Sequence, residues 1–291
     1  MADVLPVLLA LAAAVLFAVG AQLQNLGLAH IDSRAGAMCS ICTSALAYWA
    51  VAPFFVDWAW FLHPALLILA GIGLFRPAIS ANLAILGMRY LGPTLASTLA
   101  STSPLFGVLF GIFWLGETLT WPVALGTLGI VGAVVLLSLR RGGRLASGWP
   151  LWSLALPVGA AMLRALAHVL TKLGMLYIPS AYFAGLAGFT VSALVTLAVH
   201  KVRAEPVAIP WRSAGPWWFV AGGLTHALAA LSLNTGLKLG QVVVVLPIVA
   251  ASPIFSLLLG LWLFRRERFT PRLVAAVLVV VAAVVLIALN R

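Results

Sequence analysis

Arg164, His168 and Lys172 stand four residues apart. On a helix that spacing lines them up in one stripe. The residues around them are apolar, so these groups sit in a run that tolerates charge poorly. Arg76, in LFRPAIS, is a second deep cation, 12 residues after Pro64 and 11 before Gly87. At the helical rise, either end of that run is about 16–18 Å away, too far for the side chain to reach water fully. Arg164 is comparably deep, 12 residues from Trp152. An Arg at the centre of a spanning helix costs roughly 2.5–3.5 kcal/mol. A bound carboxylate or phosphate offsets that cost, because the guanidinium fork can hold either bidentately. The bland alternative is a guanidinium bonded to backbone carbonyls in a packed core. His226 and Asn82 join the candidate set. Hydroxyls complete it: GPTLASTLASTSP, from Gly92 to Pro104, puts Thr94, Ser97, Thr98, Ser101 and Thr102 on one helical face. Ser97, Thr98 and Ser101 are expected to line a wet cavity. The competing reading is that each hydroxyl bonds the carbonyl one turn back.

The elements that hold these residues are membrane spans. Hydrophobic residues make up 64% of the 291 and charged residues 8%. Runs of some twenty apolar residues recur throughout, each able to cross a hydrocarbon core of about 30 Å. Ten spans are expected, near 5–28, 36–56, 65–88, 94–115, 121–139, 152–172, 180–200, 217–236, 242–264 and 271–289. A membrane β-barrel would need alternating segments of about ten residues instead. The first span does not read as a cleaved signal peptide, since MADVLP carries no Lys or Arg and further spans follow at once.

The formal charge of +11 suggests nucleic acid or anionic lipid only until the basic residues are placed. Arg34, Arg89, Arg140, Arg141, Arg144, Lys201, Arg203, Arg212, Arg265, Arg266, Arg268 and Arg272 fall in odd-numbered connections. Lys172, Lys238 and Arg291 fall on the other side. Basic residues mark cytoplasmic connections, so the odd connections are expected in the cytoplasm and both termini outside. The eleven Trp residues sit mostly at span ends, as interfacial belts do. Cys39 and Cys42, in CSIC, have the spacing of a redox pair or half a zinc site. With no second Cys pair and no His nearby in sequence, two small buried thiols fit better.

The chain also repeats itself. LASTSPLFGVLFGIFWLGETLT answers VAASPIFSLLLGLWLFRRERFT, and LGLAHI from Leu26 answers LGMLYI from Leu173. Ser103-Pro104 matches Ser252-Pro253, Gly87 matches Gly236 and Gly111 matches Gly260, with offsets between 147 and 150 throughout. The expected units are residues 1–139, a basic linker at 140–151, and residues 152–291. Five spans per unit force the second copy into the membrane upside down, so the fold class is an all-α polytopic membrane protein of two inverted five-helix repeats. Such repeats mark secondary transporters, with the substrate near the midplane. The repeat brings Arg76 within a residue of His226 in depth. Gly107 and Gly111 form a small-residue face for close helix packing, with a counterpart at Ser256 and Gly260. The hydroxyl face has no counterpart: Val243, Leu246, Pro247, Ala250 and Ala251 replace it. Pro247 and Pro253 deprive span nine of amide donors and predict a bend.

The block GMRYLGPTLASTLASTSPLFGVLFGIFWLGETLTWPVALGTLGIVGAVVLL resembles the closing half of an EamA-type repeat, the ten-helix branch of the drug/metabolite transporter superfamily. Pro104, the Gly116-Glu117 pair and Thr120 carry the resemblance, with FRRE replacing LGE in the second copy. The resemblance implies transport of small organic molecules, often export of amino acids or related metabolites, in the bacterial inner membrane. It implies a structural role for Pro104 and Glu117. The six acidic residues, Asp3, Asp32, Asp57, Glu117, Glu205 and Glu267, fall at span ends or in loops. Proton-coupled exporters commonly use an intramembrane carboxylate, so the pattern favours facilitated diffusion or exchange with alternating access. An intramembrane enzyme would need HExxH, paired Asp residues or a Ser with its base, and none appears. A lipid-phosphate flippase and an exporter of drugs or neutral metabolites are the alternatives. No cofactor or metal is called for. The expected partners are an anionic or zwitterionic small molecule and the bilayer, not nucleic acid, with a monomer expected and a dimer as the alternative.

Overall fold

A computed structural model describes residues 4–74, 79–138, 150–203, 209–262 and 270–290. All regular elements among them are helical: α1 Leu5–Gly27, α2 Ser33–Phe55, α3 Leu66–Leu74, α4 Ser80–Ala100, α5 Ser103–Leu115, α6 Trp121–Ser138, α7 Ala155–Tyr177, α8 Ala181–Arg203, α9 Ala214–Leu239, α10 Val242–Val249, α11 Ser252–Trp262 and α12 Pro271–Leu289. Short 3₁₀ turns at Trp58–Leu62 and Leu151–Leu154 lead into α3 and α7.

Local chemistry sets the ends. Asp32 caps α2 by accepting from the Arg34 amide at 2.9 Å. Thr270 caps α12 through the Leu273 amide, with Pro271 in the first turn, where its missing N–H leaves nothing unpaired. α5 ends on Gly116 at φ 63°, a left-handed conformation that glycine adopts without strain. Gly92, at φ 78° and ψ 161°, interrupts α4 and separates span three from span four.

One span expected to run straight is corrected, and the one expected to bend is broken outright. Span four is the part of α4 beyond Gly92 followed by α5, broken at Ser101-Thr102. Span nine is α10 followed by α11, broken at Ala250-Ala251. The cause is shared. Pro104 and Pro253 have no N–H to offer the carbonyl four residues back, so each opens a new helix rather than continuing the old one.

The packing is symmetric under exchange of the two halves. Span one (α1) lies on span eight (α9), as span six (α7) lies on span three (α3 and α4). Span two (α2) contacts span eight as span seven (α8) contacts span three. Spans two and seven, four and nine, and five and ten pair with their own equivalents. This is the pattern that two inverted five-helix repeats produce, and the fold is that of a polytopic membrane protein. Close approach is bought by small residues at the seams. A Cβ on Gly223 of α9 would stand 2.5 Å from the Ser40 carbonyl of α2. One on Gly107 of α5 would stand 2.6 Å from Leu246 Cδ1 of α10, so the expected packing face of α5 meets span nine.

Candidate functional site

Two cavities of about 430 Å³ each open inside the bundle. The first lies among spans one, two, three, six, seven and eight, and Gln24, Ser40, Thr171, His226 and Asn234 border it. The second lies among spans four, five, six and nine, and Ser97, Ser101 and Ser252 border it. Arg164 and His168 border both.

The position of Arg164 follows from the break in span four. Pro104 cannot donate to the carbonyl of Ala100, and the Arg164 guanidinium supplies the missing donor, with Nη2 3.3 Å from that oxygen. Its Nε is buried without a partner among the described residues. In the repeat, Pro253 and Val249 occupy the places of Pro104 and Ala100, but Phe17 stands where Arg164 does. The cation is therefore on one side only.

Phe17 instead presents its ring to His226, with centroids 5.6 Å apart in an edge-on arrangement. His226 Nδ1 lies 2.8 Å from the Gly222 carbonyl. A carbonyl only accepts, so Nδ1 carries the proton and neutral His226 has its acceptor at Nε2. Gly20 makes room for the ring, since a Cβ there would stand 2.5 Å from Nδ1.

Lys172 leaves the stripe that the sequence drew. Its Nζ is 2.7 Å from Glu117 Oε1 and 2.6 Å from the Gly240 carbonyl. Glu117 also accepts from the amides of Val242 and Val243, at 2.8 and 2.9 Å, and so caps α10. The Gly-Glu pair makes this possible. Gly116 turns the chain, Glu117 N–H returns to the Gly111 carbonyl at 3.1 Å, and a Cβ on Gly111 would press on Oε2 at 3.0 Å. The carboxylate is only 6% exposed, although it belongs to a turn.

The hydroxyl face divides. Ser97 and Ser101 border the second cavity, and Ser101 also donates to the Ser97 carbonyl at 2.9 Å. Thr98 borders neither cavity. Ser103 donates across to the Ala161 carbonyl of α7 at 2.9 Å. Arg76 lies outside the described residues, as do the side chains of Asn82 and Thr94. Pro104, Gly107, Gly111, Pro247 and Pro253 all lie in the paired spans four and nine. Sequence reasoning missed Asn234, which donates to the Ala181 carbonyl at 3.3 Å, and Ser40, which accepts at 2.8 Å from Gln24, a residue that the sequence leaves open between the site and the interface. The available signal was a lone amide inside an apolar run. Gln22, by contrast, ties α1 to α11 through Ser256 at 2.7 and 3.0 Å. Cys39 and Cys42 are unpaired thiols, the first buried and the second half-buried.

A model of the EamA-like transporter family matches the chain twice, over residues 4–139 and 151–289. The chain belongs to the EamA-like transporter family. It is thus an integral membrane protein of a transporter family rather than of an enzyme family. A solved protein crystal structure superposes with a TM-score of 0.78, covering 97% of this chain and 95% of the other at 19% identity. At that identity the likeness concerns the fold alone. No curated protein sequence matches the chain.

Proposed function

We propose that this transporter carries a small organic metabolite bearing a carboxylate or phosphate, such as an amino acid or organic anion, across the cytoplasmic membrane. Export proceeds by facilitated diffusion or exchange, with the site exposed to each face in turn. The observation that carries this reading is Arg164: a deep guanidinium bordering both cavities, with one donor given to a backbone carbonyl and no carboxylate partner among the described residues. The anion of the substrate completes its coordination, and His168 stands one turn along the same helix. His226 and Asn234 bring polar groups to the first cavity from span eight.

The test is binding to purified Arg164→Gln and Arg164→Lys, with thermal stability measured alongside. Losing a charge-assisted hydrogen bond weakens binding by about 1.5–3 kcal/mol, roughly ten- to a hundredfold. Lys restores only part, since a point charge lacks the fork. Unchanged affinity in a folded Arg164→Gln protein would sink the anion assignment and make a neutral or cationic substrate the better reading.

A further inference from the structure

The Glu117–Lys172 ion pair lies beyond the cavities, not in them. Along α7 it is one turn past His168, about 6 Å further at the helical rise. Thr171, the neighbour of Lys172, still borders the first cavity. The pair therefore stands at that cavity's edge. It ties together the turn after α5, the last third of α7 and the junction of α9 with α10. These lead into connections four, six and eight, which by parity lie at one membrane face. Four contacts converge there: the ammonium on Glu117 and on the Gly240 carbonyl, and the two amides of α10 on the carboxylate.

The inverted repeat shows what the opposite face carries in the same places. The offset of 147 that aligns Leu26 with Leu173 puts Asn25 at the place of Lys172. Asn25 is exposed and carries no charge. The offset of 149 that aligns Pro104 with Pro253 puts Pro93 at the place of Val242. Proline has no amide to donate. At these two equivalent positions the opposite face thus has neither an ammonium nor a first capping amide.

We propose that the Glu117–Lys172 clasp is a one-sided gate, which holds the pathway shut at the face of the even-numbered connections and parts when the site opens to that face. The restraint is one-sided at these positions: across the repeat, Asn25 takes the place of the cation and Pro93 that of the first capping amide. The inference rests on the transport reading but not on the charge of the substrate. A static staple would use the same four contacts, but would have no influence on which face reaches the cavity.

The two are separated by a cysteine reporter in the first cavity. Ala230→Cys is placed in a full-length protein carrying Cys39→Ala and Cys42→Ala. It is labelled with a membrane-impermeant maleimide in right-side-out and in inside-out vesicles. With the clasp intact, labelling comes mainly from the face opposite the clasp. Glu117→Gln and Lys172→Met raise labelling from the clasp face tenfold or more and reduce it from the other. Lys172→Arg keeps the original pattern. Glu117→Gln is the informative variant if Lys172→Met fails to fold, because the single amide oxygen of Gln still accepts from one of the two α10 amides. Unchanged sidedness in Glu117→Gln overturns the gate, whether thermal stability falls or not. A shift in sidedness together with unaltered affinity in Arg164→Gln would uphold the gate while removing the anion.

Discussion

Pro104 and Arg164 are far apart in sequence yet form one device. The proline removes an amide, the Ala100 carbonyl loses its helical donor, and the guanidinium fills the place. Pro104→Ala restores the N–H, so the carbonyl no longer depends on Arg164. The expected outcome is a thermal midpoint equal to or a few degrees above the native one, because the lost helical bond is regained. Substrate binding weakens by up to about tenfold, since a bond to the guanidinium typically contributes 1.5–3 kcal/mol and here is disturbed rather than removed. A purely architectural proline would give the reverse: lower stability and unchanged affinity. Calorimetry and a binding titration on the same preparation distinguish the two. The depth of Arg164 was legible from its distance to Trp152, but its partner was not. A carbonyl orphaned by a proline 60 residues away is a tertiary fact. Glu117 shows the same limit. Its place at a span end was readable, whereas its burial depends on Gly116 turning the chain back over Gly111.

At the scale of elements, the seams between helices differ in how much they yield. Gly223 faces the backbone of α2, with the Ser40 carbonyl 2.5 Å and its Cα 3.1 Å from where a Cβ would stand. Neither atom can move without the helix. Gly107 faces the far end of Leu246, with Cδ1 at 2.6 Å but Cβ at 3.5 Å. That side chain can rotate away. Overpacking costs typically about 1–3 kcal/mol where the surroundings are rigid, and Ala regains up to about 1 kcal/mol of helix propensity. Gly223→Ala is therefore expected to lower the thermal midpoint by several degrees, and Gly107→Ala to leave it nearly unchanged. Thermal unfolding in detergent checks the pair, and equal effects would refute the distinction. Gly223→Ala also disturbs the Ser44 hydroxyl, which donates to the Gly223 carbonyl at 2.8 Å beside the first cavity. The apolar spans and the small-residue face of α5 were legible because apolar length and small-residue spacing are local properties. The breaks in spans four and nine were half legible: the prolines of span nine announced a bend, while the hydroxyl run of span four read as continuous helix.

At the scale of the whole molecule, the fold repeats and the chemistry does not. Spans pair across a two-fold relation, yet Phe17 takes the place of Arg164 in the other half, and Asn25 that of Lys172. That asymmetry has an electrical consequence. Among the described residues Arg164 has no acid to neutralise it, so an empty site carries a positive charge and an anion-loaded site is close to neutral. A unit charge that crosses the full membrane potential exchanges about 2.3 kcal/mol per 100 mV. Opening the cavity first to one face and then to the other moves the voltage drop across Arg164, at an energy that depends on its charge. The loaded protein hardly senses the potential during this change, whereas the empty protein works with or against it on its return. One-for-one exchange, which never uses the empty return, is expected to run at the same rate with or without an imposed potential in proteoliposomes. Net release into substrate-free buffer is expected to change several-fold for 100 mV, and equal voltage sensitivity of the two modes would exclude this account. The membrane battery would then act on the one step in which the carrier travels empty.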